Sequence, residues 1–230
     1  MDATTLKITD VFFDLDHTLW DFEKNSALAF ESVLQTHLPE IDLSKFLTYY
    51  VPLNYAYWER YRKDEITQAA LRLGRLRDTF AALDYEISEE MLALLSTEYI
   101  RVLPTYNYLF DGATDLLDYL KSKYRLHIIT NGFDEVQNHK ISNSKIGHYF
   151  TTITNSEMAG VKKPNPIIFE HALQLANARK ESSIMIGDCI DADVRGALNC
   201  GLDAILFCQL DTNYDGIKCV SHLSEIKNYL

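Results

Sequence analysis

The chain has 230 residues, of which 47% are apolar and 24% charged, and its formal net charge is −11 at pH 7; this composition predicts an ordinary globular protein of one large domain or two modest ones. The acidic balance argues against a nucleic-acid polymer as a partner, because phosphate backbones require basic surfaces. No apolar run approaches the ~20 residues of a membrane span and the N-terminus shows no signal-peptide pattern, so we expect a cytoplasmic protein with no membrane partner.

The first predicted strand ends in two carboxylates. Val11-Phe12-Phe13 is an apolar run that leads directly into Asp14 and Asp16, and the carboxyl ends of strands in open α/β sheets are where ligands bind. Two carboxylates on one short loop repel each other, so we expect a hard cation between them, above all Mg²⁺. These residues alone leave open the alternative of an Asp-rich turn.

The next part of the sequence is predicted to be all-helical. Apolar spacing predicts helices over residues 22–38, 43–62, 67–83 and 89–103. Thr67 and Ser88 are expected N-caps, and Pro52 is expected to break or kink the second helix. No strand pattern interrupts this stretch.

Strands and helices then alternate to the C-terminus. Strands are predicted over residues 126–129, 151–154, 183–186 and 204–208, and helices over 113–122, 135–145, 164–176, 192–199 and 223–230. Such alternation predicts a parallel sheet with right-handed crossovers. The fold class is therefore α/β, with a sheet core formed by residues 1–18 and 104–230 and an inserted helical unit formed by residues 19–103. The four cysteines all follow residue 188 without a Cys-x-x-Cys pair, which argues against a zinc site or a disulfide scaffold.

Polar clusters stand at three predicted strand ends, which a parallel sheet brings to one edge. The set comprises Asp14 and Asp16, Thr130-Asn131-Gly132, Gly187-Asp188 with Asp191 and Asp193, and the nearby pair Lys162-Lys163. Carboxylates for a cation, a hydroxyl and an amide for anionic oxygens, and an ammonium group together indicate phosphoryl transfer. Singly, Asp191 can be a helix N-cap, Asn131-Gly132 a plain turn and Lys162 a solvated charge.

With these motifs in this order, the chain resembles the haloacid dehalogenase-like superfamily of hydrolases. The matching motifs are Asp14-Leu15-Asp16-His17-Thr18, Thr130-Asn131-Gly132, Lys163 before a proline, and Gly187-Asp188 followed by Asp193. The resemblance implies a Rossmann-like parallel sheet core, and it implies that the helical insertion is a cap domain.

The resemblance also implies a role for each residue. Asp14 would be the nucleophile that forms an aspartyl-phosphate, Asp16 the general acid and then the general base, and Lys163 the cation that screens developing charge. Mg²⁺ would be held by Asp14, Asp188 and the backbone carbonyl of Asp16. The implied phosphate-binding residues are Thr130, Asn131, Gly132 and Lys163, and the implied supporting residues are Thr18 and Asp193.

Smaller matches resemble the pyrimidine-preferring nucleoside 5′-monophosphatases of this superfamily. They are Trp20-Asp21-Phe22, the stretch from Trp58-Glu59-Arg60-Tyr61 to Ile66-Thr67, and Ile129-Thr130-Asn131-Gly132-Phe133. The predicted function is therefore Mg²⁺-dependent hydrolysis of a small phosphorylated metabolite, a nucleoside 5′-monophosphate. Trp20, Phe22 and Trp58 are candidate substrate contacts, with burial in a hydrophobic core as the alternative.

Three other functions stay open. The same catalyst could act on sugar phosphates or phosphoglycolate, or serve as a phosphomutase, and a domain without catalysis could serve as a binding module. Asp16 disfavours carbon–halogen cleavage, because a halide leaves without a proton whereas an alkoxide needs one.

Overall fold

A six-stranded parallel sheet, in the order β3-β2-β1-β4-β5-β6, forms the centre of the α/β part. The structure is a computed structural model that describes residues 7–208 and 214–230. The strands are β1 (Asp10–Phe13), β2 (Arg125–Thr130), β3 (Phe150–Asn155), β4 (Ser183–Gly187), β5 (Asp203–Phe207) and β6 (Lys218–Val220).

Strand β1 is buried along its whole length and pairs with β2 on one side and β4 on the other. Its last residue, Phe13, is in register with Ile128 and Ile186. The three polar clusters therefore follow three neighbouring strands at the same edge of the sheet. Continuous apolar runs such as Val11-Phe12-Phe13 suit this position, because a central parallel strand is covered on both faces.

Helices connect the strands. They are α5 (Ala113–Lys121), α6 (Asp134–Asn143), α7 (Ser156–Ala159), α8 (Pro166–Ala176) and α9 (Gly196–Asn199). The predicted helix over residues 192–199 is instead a π-helix, Ile190–Arg195, that continues into α9, and the predicted last helix is a 3-10 helix, Leu223–Asn228. Strand β6 and helix α7 are too short to produce a recognisable period in the sequence.

The inserted helical unit contains α1 (Phe22–His37), α2 (Leu43–Arg62), α3 (Gln68–Ala82) and α4 (Glu89–Val102). Thr67 and Ser88 are N-caps as predicted, each accepting a backbone N–H three residues on. Helix α2 runs through Pro52 without ending there, so the predicted break is absent. Aromatic rings form the core of the unit, and those of Phe30 and Tyr99 stack with centroids 4.2 Å apart.

The chain thus divides into two compact units. One comprises the described part of Met1–Phe22 together with Asn107–Leu230, and the other comprises Glu23–Tyr106; the sequence had placed the two divisions after residues 18 and 103. A parallel sheet with surrounding helices and an all-helical insertion confirms the predicted fold class. Within the described ranges, no helix is long and apolar enough to cross a membrane.

Candidate active site

The loop after β1 is a tight turn that presents two carboxylates. The carbonyl oxygen of Leu15 accepts the N–H groups of Leu19 and Trp20 at 2.9 and 2.8 Å. His17 adopts a φ of 62°, a left-handed conformation that non-glycine residues adopt uncommonly. The Asp14 N–H donates to the Ile186 carbonyl at 2.9 Å, which ties the start of the loop to β4. Asp14 is consequently held at the edge of the sheet.

Asp14 belongs to a cluster of three carboxylates. One carboxylate oxygen from each of Asp14, Asp188 and Asp193 lies within 4.8 Å of the others. Lys163 Nζ lies 2.9 Å from Asp14 Oδ1 and 2.7 Å from Asp193 Oδ1, and it also donates to the Ile129 carbonyl at 2.6 Å. The Lys163 side chain is only 1% exposed. Lys163 is thus the lysine whose ammonium contacts the predicted nucleophile.

Burial is the main cause of the raised pKa values of the carboxylates in this cluster, and neighbouring carboxylates add to the rise. Burial, followed by the neighbouring Asp193, raises the pKa of Asp188 to about 7. Burial and the carboxylates of Asp193 and Asp188 raise the pKa of Asp14 well above its usual value, although Lys163 opposes that rise. Burial would lower the pKa of Lys163, but Asp14 and Asp193 together raise it, so Lys163 stays charged.

This donor set fits a divalent cation. One ammonium group contacts two of the three carboxylates, and burial together with the neighbouring carboxylates raises the pKa of Asp188 and of Asp14. A bound cation would lower both values and keep the carboxylates ionised. Oxygen-only ligands favour Mg²⁺ or Ca²⁺ over softer metals. Thr18 Oγ1 donates to Asp188 Oδ1 at 3.3 Å, which gives the predicted supporting residue Thr18 a defined partner.

Asp16 points to a different set of partners, which the sequence did not predict. Lys140 Nζ lies 2.5 Å from Asp16 Oδ1, and Gln137 Nε2 donates to Asp16 Oδ2 at 2.9 Å. Gln137 Nε2 also donates to Thr130 Oγ1 at 2.7 Å, so it links the motif that contains Asp16 to the motif that contains Thr130. One sequence feature could have indicated these contacts: Gln137 and Lys140 lie one turn apart on a polar helix that has to pack on the sheet.

The second motif supports the loop that carries Lys163. Asn131 Nδ2 donates to the Lys163 carbonyl at 3.0 Å, and Asn131 Oδ1 accepts the Lys163 N–H at 2.7 Å. A Cβ on Gly132 would lie 2.3 Å from the amide of Gln137, so a larger residue would displace that amide from its present position. Contact between phosphoryl oxygens and Thr130, Asn131 or Gly132 stays a prediction.

The motif formed by Gly187-Asp188 and Asp193 shows the same close fit. A Cβ on Gly187 would lie 2.3 Å from Asp193 Oδ2, the oxygen that accepts the Cys189 N–H at 3.0 Å. Asp193 Oδ1 lies 2.7 Å from Lys163 Nζ, and Asp193 belongs to the carboxylate cluster. Asp191 is exposed and pairs with Arg195 at 2.7 Å, and the helix N-cap is Cys189 rather than Asp191.

The three candidate substrate-contact aromatics lie in different surroundings. Trp20 is fully buried, with Lys140 Nζ 4.3 Å from a ring centroid, and Phe22 lies 5.3 Å from the same ammonium. Trp58 belongs to the helical unit, where it is half-buried and meets Tyr61 edge-to-face at 5.6 Å. Their contact with a substrate stays a prediction.

Comparisons with known proteins point to one family. The sequence matches the family described as haloacid dehalogenase-like hydrolase over residues 10–201. It is 32% identical to the pyrimidine 5′-nucleotidase PynA of Streptococcus pneumoniae, over 86% of this chain and 82% of that protein. It is 28% identical to the pyrimidine 5′-nucleotidase YjjG of Escherichia coli, over 96% of both chains. The HAD-hydrolase YfnB of Bacillus subtilis, solved with magnesium bound, superposes with a TM-score of 0.88 at 26% identity, over 97% of this chain and 99% of that one.

Proposed function

This chain belongs to the haloacid dehalogenase-like hydrolases, and we propose that it hydrolyses phosphate monoesters through a covalent intermediate on Asp14. The observation that carries the proposal is the arrangement around Asp14. Its carboxylate lies 2.9 Å from the buried ammonium of Lys163, within the carboxylate cluster and at the edge of the sheet where ligands bind. Asp16, two residues on, supplies a second carboxylate on the same loop.

The proposed reaction has two steps. In the first, an Asp14 oxygen attacks phosphorus, the bond from phosphorus to the ester oxygen breaks, and the leaving alkoxide takes the proton of Asp16. In the second, water attacks the aspartyl-phosphate and gives a proton to Asp16, while the bond from phosphorus to Asp14 breaks and phosphate is released. Lys163 screens the charge that develops on the phosphoryl oxygens.

Mg²⁺ is the proposed cofactor. Asp14, Asp188 and the backbone carbonyl of Asp16 would hold it, and Asp193 would keep Lys163 in place. When bound, the cation offsets the repulsion between the carboxylates and the incoming phosphate. The crowding of negative charge described above supports this assignment.

We further propose nucleoside 5′-monophosphates as substrates, with a preference for pyrimidines. The support is the similarity to two proteins named pyrimidine 5′-nucleotidases, one of which matches over nearly the whole length of this chain. Trp20-Asp21-Phe22 and Trp58 belong to the stretches that resemble that branch. Sugar-phosphate hydrolysis is the alternative within the same chemistry.

Phosphate release from matched substrates tests this proposal. Pyrimidine and purine nucleoside monophosphates, two sugar phosphates and nitrophenyl phosphate are assayed with Mg²⁺ and with EDTA. We expect Mg²⁺-dependent turnover with the highest kcat/KM for a pyrimidine nucleotide. Asp14→Asn should abolish turnover of every substrate, because it keeps the shape of the side chain and removes the attacking charge. Substantial activity in Asp14→Asn would contradict the covalent mechanism, and a higher kcat/KM for a sugar phosphate would contradict the substrate assignment.

Asp16→Asn tests the acid and base steps separately. Nitrophenolate departs without protonation, so this variant should release about one equivalent of nitrophenol in a burst and then stall, because water has no base. A nucleotide, whose alkoxide needs the proton, should give no burst. Equal and modest losses with both esters would show that Asp16 is not the acid–base residue.

A further inference from the structure

We propose that Lys140 and Gln137 are positioning residues that together fix the ionised carboxylate of Asp16, the form that accepts the proton of the attacking water in the second step. The proposal rests on the proposed function, because it concerns how well Asp16 does its work there. Neither residue belongs to a motif on which the resemblance depends. Both come from helix α6, and they act on the loop after β1.

The two residues hold both oxygens of one carboxylate. Lys140 Nζ lies 2.5 Å from Asp16 Oδ1, while Gln137 Nε2 donates to Asp16 Oδ2 at 2.9 Å. Two donors on two different oxygens restrain rotation of the carboxyl plane, which a single hydrogen bond does not. Because residues three apart lie on the same face of a helix, the two donors approach Asp16 from one side. The carboxylate is 19% exposed, so it remains open to solvent.

The surroundings of Lys140 indicate a fixed ammonium group rather than a solvated one. Its side chain is 3% exposed, and its Nζ lies 4.3 Å from a Trp20 ring centroid and 5.3 Å from the Phe22 ring. Burial of an ammonium is strongly unfavourable without an anionic partner, and Asp16 is that partner. Trp20 and Phe22 thereby acquire a role, since they restrict the position of Lys140 through cation–π contact.

Gln137 is held as firmly as Lys140, and its position explains why residue 132 is a glycine. It is 1% exposed, and the same Nε2 that reaches Asp16 donates to Thr130 Oγ1 at 2.7 Å. The space for its amide exists because position 132 carries no Cβ. Gly132 therefore contributes to the placement of Asp16 through Gln137. Gln137 thereby connects the end of β2, helix α6 and the loop after β1.

Accurate placement matters for proton transfer. General acid–base catalysis contributes roughly 10²–10⁴-fold, and a displacement of about 1 Å can cost ~10²-fold. Lys140→Met keeps an apolar stem against Trp20 and removes the ammonium. We therefore expect kcat with a nucleoside monophosphate to fall by about 10- to 100-fold.

The test is a double-mutant cycle between Lys140 and Asp16. In the wild-type background Lys140→Met should lower steady-state kcat while the first equivalent of nitrophenol is still released from nitrophenyl phosphate, because Asp14 still attacks. In the Asp16→Asn background, Lys140→Met should change neither burst nor turnover by more than about twofold, since the carboxylate that it positions is gone. Gln137→Leu should have the same effects as Lys140→Met in both backgrounds. Lys140→Arg, which keeps a positive charge, should retain most of the activity that Lys140→Met loses.

Lys145→Met is the matched control, because Lys145 is an exposed lysine just beyond the end of α6, and it should leave kcat unchanged. Melting temperature is recorded for each variant, and if Lys140→Met does not fold, Gln137→Leu carries the same cycle. An equal loss from Lys140→Met in both backgrounds, failure of Lys140→Met to release the first equivalent of nitrophenol, or an unchanged kcat in Lys140→Met and Gln137→Leu would overturn the positioning role. Loss of Mg²⁺-dependent turnover in the wild type, or activity in Asp14→Asn, would instead overturn the proposed function itself.

Discussion

Replacement of Lys163 by Met should destabilise the α/β unit to a degree that depends on pH. The ammonium lies 2.9 Å from Asp14 Oδ1 and 2.7 Å from Asp193 Oδ1 and is only 1% exposed. At an effective dielectric constant of ~20, each contact corresponds to an attraction of about 6 kcal/mol. The cost of removing the charges from water offsets most of this gain, and breaking a buried pair typically costs ~3–5 kcal/mol.

The sign of the pH dependence follows from the carboxylates. The pKa of Asp188 is about 7 in the folded protein, against a usual 3.8, so the folded state binds its proton more tightly than the unfolded state does. Stability from this group is present below the unfolded pKa and is lost as pH rises through the folded pKa. Lys163 lowers the pKa of both Asp14 and Asp188, so its replacement by Met raises both pKa values further. The loss of stability with rising pH then continues to a higher pH in the variant than in the wild type. The difference between wild type and variant should therefore be smaller at pH 5 than at pH 8.

Urea unfolding in EDTA at pH 5 and pH 8 measures this difference. At pH 8 we expect a loss of ~3–5 kcal/mol, equivalent to a fall in Tm on the order of 10 °C for a chain of this size. Lys162→Met is the matched control, since that neighbouring lysine is only half-buried; it should change the free energy of unfolding by less than about 1 kcal/mol. A loss in Lys163→Met that is the same at both pH values, or below about 1 kcal/mol at pH 8, would refute this account of the cluster.

Three further predictions concern the metal, the glycine beside Gln137 and the helical unit. Asp188→Ala should weaken Mg²⁺ binding and be partly rescued by excess Mg²⁺ in a titration of activity; a metal dependence like that of the wild type would exclude Asp188 as a ligand. Gly132→Ala should lower kcat by about 10-fold or more and reduce stability by ~1–3 kcal/mol, because the added Cβ displaces Gln137 from Asp16. A wild-type kcat in this variant would show that the displaced Gln137 amide does not affect Asp16. Trp58→Ala should reduce kcat/KM for nucleotides far more than for nitrophenyl phosphate if the ring contacts the base, whereas uniform loss with a lower Tm would assign Trp58 to packing.

Patterns local in sequence predicted most of the elements and the edge of the sheet at which the candidate site residues lie. The apolar run before Asp14 and the strand–helix alternation from residue 113 onward predicted a parallel sheet, and in a parallel sheet the three polar strand ends must share one edge. The helical insertion followed from apolar spacing alone, with N-caps at Thr67 and Ser88. Elements without a clear period escaped prediction: β6 has three residues, and the Ile190–Arg195 segment is a π-helix rather than an α-helix.

Tertiary structure decided which side chains meet. The residue types of Lys163 and Asp193 were predictable, but not that one ammonium bridges Asp14 and Asp193. The contacts of Asp16 with Lys140 and Gln137 join positions more than 120 residues apart in the chain. No local pattern encodes that approach, because it depends on how α6 packs beside the end of β1. The same holds for Gly132 and Gly187, whose missing side chains are explained only by Gln137 and Asp193, which occupy the space beside them.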